Sequence, residues 1–504
     1  MSGARFDFTA DVPPAEELGP VHFIAIGGSG VSGVARMFLA RGIEVSGSDQ
    51  ADSPTVRSLE QAGARVHIGH DAAHLGEART VVVSSAIRED NPELRAARGA
   101  GLTVLHRAQG IAALLHGRPA VAVAGANGKT TTSAMTAGAL EAAGATPGYV
   151  VGAPLASSGV SAAPGVEDAP MVVEADESDG SFLTYRPQVA VVTNVQADHL
   201  DHYGDVAAVE QAYRDFVATL TEGGLLITST DDPGAARLAD HARRAGARVL
   251  TWGSEGADVI LRDVRSEGMT ASGTLVVGPD VPHLREGTTV TLRLPAPGEH
   301  TVHNALAALL VATSGFGLPL GAAVDGLERF AGVHRRFERV GGVDEVEIVD
   351  DYAHNAAKVT AVVRAARSAA AGRRLVVAFQ PHLFSRTRDF ADGFCAGLAA
   401  ADVVVLLPVY PARERQEDYP TITSGLLAEG LGGPAVGPTV IEVDSVAAAA
   451  PALGEVLSDG VESLVVTVGA GDVTRVGGEL LALLRDPEPP GADPQPSVDD
   501  EGAS

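Results

Sequence analysis

The stretch VAVAGANGKTTTSAM, residues 121–135, decides the fold predicted for the middle of this chain. An apolar segment leads into a glycine-rich turn, which is followed by Lys129 and a threonine-rich, helix-forming continuation. Backbone N–H groups at the start of a helix bind phosphate, and a lysine adds a positive charge. The common P-loop, G-x-x-x-x-G-K-[ST], needs a glycine at position 123, where this chain has Val123. The stretch therefore predicts a phosphate-binding turn of shortened spacing between a strand and a helix.

Length and composition predict a multidomain globular protein. The 504 residues correspond to about three domains of ~150 residues each. Because 37 Lys and Arg face 64 Asp and Glu, the net charge is −27, which argues against nucleic acid or a membrane surface as a partner. Cys395 is the single cysteine, which fits a reducing compartment. With no apolar leader and no run of ~20 apolar residues, the chain is predicted to be cytoplasmic, without membrane insertion.

Short β-branched runs alternate with longer Ala- and Leu-rich segments. Seven of these runs predict strands: VHFIAIG (21–27), TVVVSSA (80–86), AVAVAGA (120–126), VAVVTNV (189–195), RLVVAFQ (374–380), VVVLLPV (403–409) and SLVVTVGAG (463–471). The alternation favours parallel sheets with helices on both faces, whereas residues 271–294 predict an antiparallel insert. The predicted fold is α/β, in three domains at residues 20–117, 118–331 and 332–485. The acidic, Pro-rich ends, 1–19 and 486–504, predict disorder.

The motif IGGSGVSG, near the N-terminus, places Gly28, Gly30 and Gly33 in a G-x-G-x-x-G pattern between a strand and an apolar helix. Glycines in this pattern allow a tight turn that presents helix N–H groups to a pyrophosphate. Asp49 follows the next strand-like run, where a ribose-binding acid is expected. A nicotinamide cofactor and a nucleotide-sugar diphosphate both fit this pattern.

The central phosphate turn contains Gly125, Asn127, Gly128, Lys129 and Thr130. These residues predict a nest of backbone N–H groups at a helix start, with Lys129 as a point charge. The Thr130 hydroxyl is placed to bind a Mg²⁺ ion that bridges phosphates.

Acidic and histidine residues follow two further apolar runs. Glu174, Asp176, Glu177 and Asp179 lie in EADESDGSF, and an enzyme of this kind needs such a carboxylate for Mg²⁺. His199, in ADHLDHYG, is either a metal or phosphate contact or a structural histidine.

Two more clusters were weighed. HIGHDAAH spaces His67, His70 and His74 without cysteines, so a zinc site is not predicted. In the C-terminal third, arginines beside apolar strands supply the local positive field that an anionic ligand needs in a chain of this charge. They are Arg335, Arg336, Arg386 and Arg388.

Taken in order along the chain, these motifs resemble those of the Mur ligase family, ATP-dependent amide-forming enzymes of peptidoglycan precursor synthesis. The resemblance covers nearly all of residues 20–484 and also rests on SGSD, VVSSAIREDNPE, HRRFE, DDYAHN, FQPHLFSRTRDF, VYPARE and GAGDV. It implies a Rossmann-like N-terminal domain for a UDP-sugar, a central P-loop ATPase domain and a C-terminal Rossmann-like domain. The family also uses the short G-x-x-G-K-T turn, which accounts for Val123.

The resemblance implies roles for individual residues. The UDP-sugar site would contain Gly28, Ser29, Gly30, Gly33, Asp49, His70, Ser84 and Arg107. The ATP site would contain Gly125, Asn127, Gly128, Lys129, Thr130, Thr131, Asn304 and Arg336. Thr130 and Glu174 would hold one Mg²⁺, and His199 would lie at a second metal. The catalytic set would be Lys129, Glu174, His199, Arg336 and Asp351, and the amino-acid acceptor would meet Tyr352, His354 and Arg386.

The implied reaction joins UDP-N-acetylmuramate and L-alanine, with ATP and Mg²⁺, in a monomer or weak homodimer. Some positions depart from the family pattern, including Asn127, Thr301, Leu383 and the pair Ala356 and Ala357 after DDYAHN. These departures leave open a divergent member that uses another amino acid, a peptide or a different donor. Two readings from other classes are a dinucleotide-dependent oxidoreductase, which would leave the Lys129 region unexplained, and a nucleotide-sugar-binding protein without turnover.

Overall fold

The structure, a computed structural model, describes residues 5–28, 30–412, 414–432 and 437–486. The described residues up to His334 form one compact unit, and those from Arg335 onward form a second. Three separate sheets, of five, ten and six strands, lie within these units. Most neighbouring strands are parallel and are connected by helices, so the predicted α/β class with three domains is confirmed.

The N-terminal domain is a parallel sheet in the order β3-β2-β1-β4-β5. Its elements are α1 (Ala15–Leu18), β1 (Val21–Ile24), α2 (Ser32–Ala40), β2 (Val45–Asp49), α3 (Pro54–Gln61), β3 (Arg65–Ile68), β4 (Thr80–Val83), α4 (Pro92–Gly99), β5 (Thr103–His106) and α5 (Arg107–Leu114). Strands β1 and β4 are buried along their whole length, which explains their continuous apolar runs. The strand order reverses between β1 and β4, and ligands of such sheets bind outside the strand ends at this point.

The central domain has the strand order β15-β14-β13-β12-β11-β10-β6-β9-β7-β8. Its strands are β6 (Ala120–Ala124), β7 (Gly148–Val150), β8 (Ala162–Ala163), β9 (Met171–Glu174), β10 (Val189–Val192), β11 (Leu225–Ser229), β12 (Arg248–Gly253), β13 (Val259–Glu267), β14 (Thr270–Val277) and β15 (Thr289–Leu294). Its helices are α6 (Lys129–Ala142), α7 (Leu200–Tyr203), α8 (Val206–Ala218), α9 (Pro233–Arg244), α10 (Glu299–Leu310) and α11 (Leu320–Glu328). Strand β6 lies between β10 and β9, so the phosphate turn that follows it is flanked by the ends of both neighbours.

The C-terminal unit contains a sheet in the order β16-β17-β21-β18-β19-β20, parallel except at β16. Its strands are β16 (Glu338–Val343), β17 (Val346–Asp351), β18 (Arg374–Phe379), β19 (Val403–Leu406), β20 (Thr439–Glu442) and β21 (Ser463–Val468). Its helices are α12 (Ala356–Ala370), α13 (Phe384–Asp389), α14 (Ala391–Leu398), α15 (Gly425–Leu431), α16 (Ala449–Leu457) and α17 (Thr474–Arg485).

The seven predicted strands exist, but each ends one to three residues earlier than predicted. Most of the residues cut off are small or polar, although Ile26, Val195, Leu407 and Val409 are apolar. The antiparallel insert is confirmed, and it starts earlier than residue 271 because β13 already pairs antiparallel with β14. None of the helices in the described part of the chain is both long and apolar enough to cross a membrane.

The predicted disorder of residues 1–19 is wrong for residues 5–19. Val12, Ala15 and Leu18 are buried in the hydrophobic core, at 8%, 0% and 3% exposure. The ring of His116 also contacts the carbonyl oxygen of Val12 at 2.6 Å. The prediction failed because three buried apolar side chains are enough to anchor a Pro-rich, acidic segment whose other residues stay partly or fully exposed. Residues 1–4 and the predicted acidic tail from residue 487 lie outside the described residues.

Candidate active site

The phosphate turn connects β6 to α6 through two glycines of positive φ. Gly125 has φ 136°, and Gly128 has φ 87° and caps helix α6. A Cβ atom on Gly125 would lie 2.0 Å from Thr193 Oγ1, and one on Gly128 would lie 2.7 Å from Asn304 Oδ1. Asn304 therefore lies against the turn, as the resemblance implies. The first N–H groups of α6, which include that of Thr131, have no partner within the helix and are available to an anion.

The end of strand β10 holds the backbone of this turn. The Asn194 side chain accepts a hydrogen bond from the Asn127 N–H at 3.0 Å and donates one to the Asn127 carbonyl oxygen at 3.0 Å. Thr193 Oγ1 donates to the same carbonyl oxygen at 2.6 Å. The side chain of Asn127 points elsewhere, to Gln196 Oε1 at 3.3 Å. The turn thus fixes the main chain at position 127, so an asparagine is accommodated where the family pattern has another residue.

Lys129, the first residue of α6, forms an ion pair with a buried carboxylate. Its Nζ donates to the Gly125 carbonyl oxygen at 2.7 Å and lies 2.9 and 2.8 Å from the two carboxylate oxygens of Glu177. Burial raises the pKa of Glu177, against the lowering effect of the Lys129 charge and hydrogen bond. The sequence assigned Glu177 no role, because only its burial distinguishes it from Asp176 and Asp179.

The predicted magnesium pair, Thr130 and Glu174, lies beside the turn. Strands β6 and β9 pair with Val123 opposite Glu174, which places this carboxylate next to the start of α6. Thr130 Oγ1 donates to Glu174 Oε1 at 2.9 Å, and the Gly152 N–H donates to Oε2 at 2.6 Å. Mg²⁺ is commonly bound by one or two carboxylates together with water and phosphate oxygens. These two oxygen ligands therefore fit a Mg²⁺ ion that is completed by a phosphate.

His199 lies on the other side of Glu177. It has a left-handed backbone with φ 53° and begins helix α7. Its Nε2 is 3.9 Å from Glu177 Oε1 and 3.8 Å from Asp198 Oδ2. Among the described residues, no group of three or more His, Cys, Asp or Glu side chains is arranged to hold a metal ion. The Thr130–Glu174 pair and His199 are thus two separate positions, each of which would need ligand oxygens to complete a metal site.

The N-terminal glycine turn brings Gly30 and Arg107 together. A Cβ atom on Gly30 would lie 2.0 Å from Arg107 Nη1, so the guanidinium group extends over the turn. Asp49, at the end of β2, accepts a hydrogen bond from the Gly27 N–H at 2.9 Å. The predicted ribose-binding acid therefore also supports the turn. Arginine beside exposed backbone N–H groups favours a phosphate ligand.

The other glycines of this turn have different surroundings. The N–H of Gly28 donates to the Ala25 carbonyl oxygen at 3.0 Å, which closes the turn. A Cβ atom on Gly33 would lie 3.0 Å from the Ala162 side chain, so Gly33 allows α2 to pack against β8 of the central domain. Ser29 lies outside the described residues.

His70 and Ser84 lie at the carboxyl ends of neighbouring segments of the same sheet. His70 follows β3, and its Nδ1 is 2.9 Å from Ser48 Oγ and 3.1 Å from Glu93 Oε2. Ser84 follows β4, and its carbonyl oxygen accepts from the Ile87 N–H at 3.2 Å.

A hydrogen-bonded chain that was not predicted connects the two domains of the first unit. Ser85 Oγ donates to Asp179 Oδ2 at 2.6 Å and lies 3.1 Å from His106 Nε2. The other ring nitrogen of His106 accepts from the Ala108 N–H at 3.2 Å, so Nε2 carries the proton and donates to Ser85. Burial lowers the pKa of His106 to about 4, and the ring is therefore neutral near pH 7. Arg107, the next residue, is thereby fixed at the start of α5.

In the C-terminal unit, Asp351 ends strand β17 and is buried. Its two carboxylate oxygens accept from the Phe337 and Ala353 N–H groups, each at 2.8 Å. Burial raises the pKa of Asp351 to about 6, although these hydrogen bonds and the Arg336 charge lower it. The Arg336 guanidinium lies 6.0 Å from the centre of the Tyr352 ring. Arg336 and Asp351, predicted to act together, are thus near each other.

The predicted acceptor residues also form one cluster. The rings of Tyr352 and His354 are 5.0 Å apart, and Arg386 Nη1 donates to the His354 carbonyl oxygen at 3.2 Å. His382, which was not predicted, lies 5.5 Å from His354 and stacks on Tyr410 at 5.8 Å. No sequence signal distinguished His382 from a structural histidine, since it becomes significant only through these ring contacts.

A glycine turn with a lysine paired to a buried carboxylate, and a threonine hydroxyl paired to a second carboxylate, at the edge of a parallel sheet defines a nucleotide-phosphate-binding protein. The chain matches the Mur ligase family, catalytic domain, over residues 20–118, the Mur ligase middle domain over 123–312, and the Mur ligase, glutamate ligase domain over 335–471. The chain therefore belongs to the Mur ligase family.

Individual relatives are similar over nearly the whole chain. The UDP-N-acetylmuramate–L-alanine ligase of Kineococcus radiotolerans is 50% identical over 479 residues, covering 94% of this chain and 98% of that protein. The enzyme of the same name from Paenarthrobacter aurescens is 47% identical, covering 94% and 99%. The crystal structure of the UDP-N-acetylmuramate–alanine ligase of Thermotoga maritima has a TM-score of 0.75 at 26% identity, covering 92% of this chain and 99% of that one.

Proposed function

We propose that this chain is an ATP-dependent ligase that joins the carboxylate of UDP-N-acetylmuramate to L-alanine through an acyl phosphate, in peptidoglycan precursor synthesis. The observation that carries the proposal is the turn at residues 125–130. Lys129 and the Thr130–Glu174 pair lie there beside two glycines, at positions where any larger residue would collide with neighbouring side chains. The relatives named above, at about half identity over nearly full length, support the choice of substrates.

The three domains would divide the substrates. Residues 20–117 would bind the UDP-sugar, with Arg107 over the diphosphate and the glycine turn beneath it. Residues 118–331 would bind ATP, and residues 332–485 would receive the amino acid. Tyr352, His354 and Arg386 suit the acceptor, since an arginine pairs with its carboxylate.

Charge repulsion is the main obstacle to the first step, in which a carboxylate oxygen attacks the γ-phosphorus of ATP, the bond to the bridging oxygen breaks and ADP leaves. Lys129 would offset the charge of the phosphates, and the N–H groups of α6 would bind their oxygens. Thr130 and Glu174 would hold Mg²⁺, which supplies charge neutralisation when it is bound, and His199 would serve a second metal. The alanine ammonium group first loses one proton. The resulting amine attacks the acyl carbon, the bond from that carbon to the phosphate oxygen breaks, and the nitrogen gives up a second proton, which leaves with the phosphate.

The proposal is tested by phosphate release in mixtures that omit ATP, Mg²⁺, UDP-N-acetylmuramate or alanine in turn. We expect release only when all four are present, and a selective signal for alanine in a panel of the twenty amino acids and short peptides. Release without the sugar nucleotide would refute the ligase assignment. A stronger signal for another acceptor would keep the assignment as a ligase but change its amino-acid substrate. The cluster around His354 would then be the part of the chain that determines acceptor specificity.

A further inference from the structure

The carboxylate of Glu93 lies among histidine side chains that the ligation chemistry leaves without a role. Glu93 is in the first turn of α4 and is fully buried. Its Oε2 accepts from Ser48 Oγ at 2.6 Å and lies 3.1 Å from His70 Nδ1. Its Oε1 lies 3.2 Å from His74 Nδ1 and 3.7 Å from His22 Nε2. One carboxylate therefore contacts four side chains from three segments: β1, β2 and the stretch after β3.

The ionisation state of Glu93 fixes where the protons lie. Burial by itself would raise its pKa, but hydrogen bonds and charge from His22, Ser48 and His70 lower the pKa to about 2. An ionised carboxylate only accepts hydrogen bonds, so each ring nitrogen that faces it must carry a hydrogen. The ring of His70 is consequently protonated on Nδ1. In the neutral ring, Nε2 is then a hydrogen-bond acceptor.

The position of His70 connects this cluster to the glycine turn. Ser48 directly precedes Asp49, and the Gly69 N–H donates to the Asp49 carbonyl oxygen at 2.7 Å. Asp49 in turn holds the Gly27 N–H of the turn at 2.9 Å. His70 therefore lies at the carboxyl ends of β2 and β3, the edge of the sheet at which the turn is formed.

We propose that Glu93 is a positioning residue of the donor site, which orients His70 so that its Nε2 accepts a hydrogen bond from a hydroxyl or N–H group of the donor nucleoside. The inference rests on the proposed function, because it takes the sugar nucleotide as the ligand of this domain. It assigns His70 to the nucleoside part of the donor, since an acceptor nitrogen does not bind a phosphate oxygen. The diphosphate is left to Arg107 and the glycine turn.

The test is calorimetric binding of UDP-N-acetylmuramate to the full chain, combined with steady-state kinetics. Glu93→Gln keeps the shape but not the charge, and we expect the Kd of the donor to rise about tenfold, as for a lost charge-assisted hydrogen bond. The KM for ATP should stay within twofold of the wild-type value. His74→Gln is the matched control, because it contacts the other oxygen of the same carboxylate, and its donor Kd should change less than twofold. Donor binding unchanged in Glu93→Gln, or equal losses in both variants, would overturn the proposal.

Two further measurements separate positioning from a purely structural effect. Glu93→Gln combined with His70→Asn should bind the donor no worse than His70→Asn alone, because both changes act through one contact. Additive losses would contradict this. If Glu93→Gln does not fold, the ¹⁵N shifts of wild-type His70 decide: a hydrogen on Nδ1 alone supports the proposal, and a hydrogen on Nε2 alone overturns it.

A wild-type chain that does not bind the sugar nucleotide at all would refute the proposed function instead.

Discussion

Gly125→Ala should disable the phosphate turn through a single added methyl group. The backbone conformation at φ 136° costs a non-glycine residue about 1–3 kcal/mol. The new Cβ would lie 2.0 Å from Thr193 Oγ1, which must move away from two hydrogen-bond partners: the Asn127 carbonyl oxygen, to which it donates at 2.6 Å, and Asn194 Nδ2, which donates to it at 3.2 Å. Each lost hydrogen bond costs about 1 kcal/mol, so the free energy of unfolding should fall by about 3–5 kcal/mol in total.

Gly144→Ala provides the matched control at the other end of the same helix. Gly144 also has a positive φ, 96°, but no heavy atom lies within 4 Å of its added Cβ. It therefore experiences only the backbone cost of about 1–3 kcal/mol and leaves the phosphate turn intact. The comparison separates backbone strain, which both variants share, from the collision with Thr193.

The single tryptophan, Trp252, reports on the domain in which both glycines lie, because it is buried there at 1% exposure. Urea unfolding followed by its fluorescence gives the two losses of stability, and phosphate release gives the KM for ATP. We expect at least a tenfold higher KM, or no turnover, for Gly125→Ala, and wild-type kinetics for Gly144→Ala. A Gly125→Ala enzyme with unchanged KM for ATP, or one no less stable than Gly144→Ala, would refute the reasoning.

Three further changes test other parts of the molecule. Lys129→Ala should abolish turnover, while sugar-nucleotide binding measured by calorimetry persists. Because the substitution leaves Glu177 buried without its cation, the pKa of that carboxyl should rise further, and the stability of the variant should fall as pH increases. Loss of both turnover and sugar-nucleotide binding in Lys129→Ala would contradict the proposed division of substrates between the domains. Ser85→Ala should lower the free energy of unfolding, measured in urea, by about 1–3 kcal/mol, since Asp179 loses a hydrogen-bond donor. An unchanged urea midpoint would show that the hydrogen-bonded chain from Asp179 to His106 contributes nothing to stability. The pKa of Asp351 is raised from 3.8 to about 6, which contributes stability that is present below pH 4 and is lost as pH rises through 6, about 3 kcal/mol at most. Asp351→Asn should therefore flatten the dependence of the thermal unfolding temperature on pH between pH 4 and 8. Parallel profiles for the variant and the wild type would exclude this contribution of Asp351.

Features set by neighbouring residues were predictable. The strands at 21–24 and 120–124 are recognisable because buried parallel strands are continuously apolar. The phosphate turn is recognisable because Gly125 and Gly128 supply positive φ and Lys129 starts the helix. Strand ends were predicted too late, since apolar residues such as Ile26 and Leu407 continue past the point where the hydrogen-bond ladder of the strand stops.

Pairings between distant residues were not predictable. Glu174, Asp176, Glu177 and Asp179 are four similar acids within six residues, and the sequence does not distinguish their partners. In the structure Glu174 meets Thr130, Glu177 meets Lys129, and Asp179 turns to Ser85 of another domain. Likewise, the family resemblance implied a donor-site role for His70, but the sequence does not reveal that α4 brings Glu93 into contact with both His70 and His74.

The sequence by itself thus determined the α/β domains, the two glycine turns and the residue types available for phosphate chemistry. These depend on local backbone conformation and on the periodicity of apolar side chains, which act over a few residues. Only the tertiary structure decided which acid faces which cation, how deeply each pair is buried and which ring nitrogen carries a proton. Those properties depend on strand order and register, such as Val123 opposite Glu174, which bring side chains dozens of residues apart within hydrogen-bonding distance.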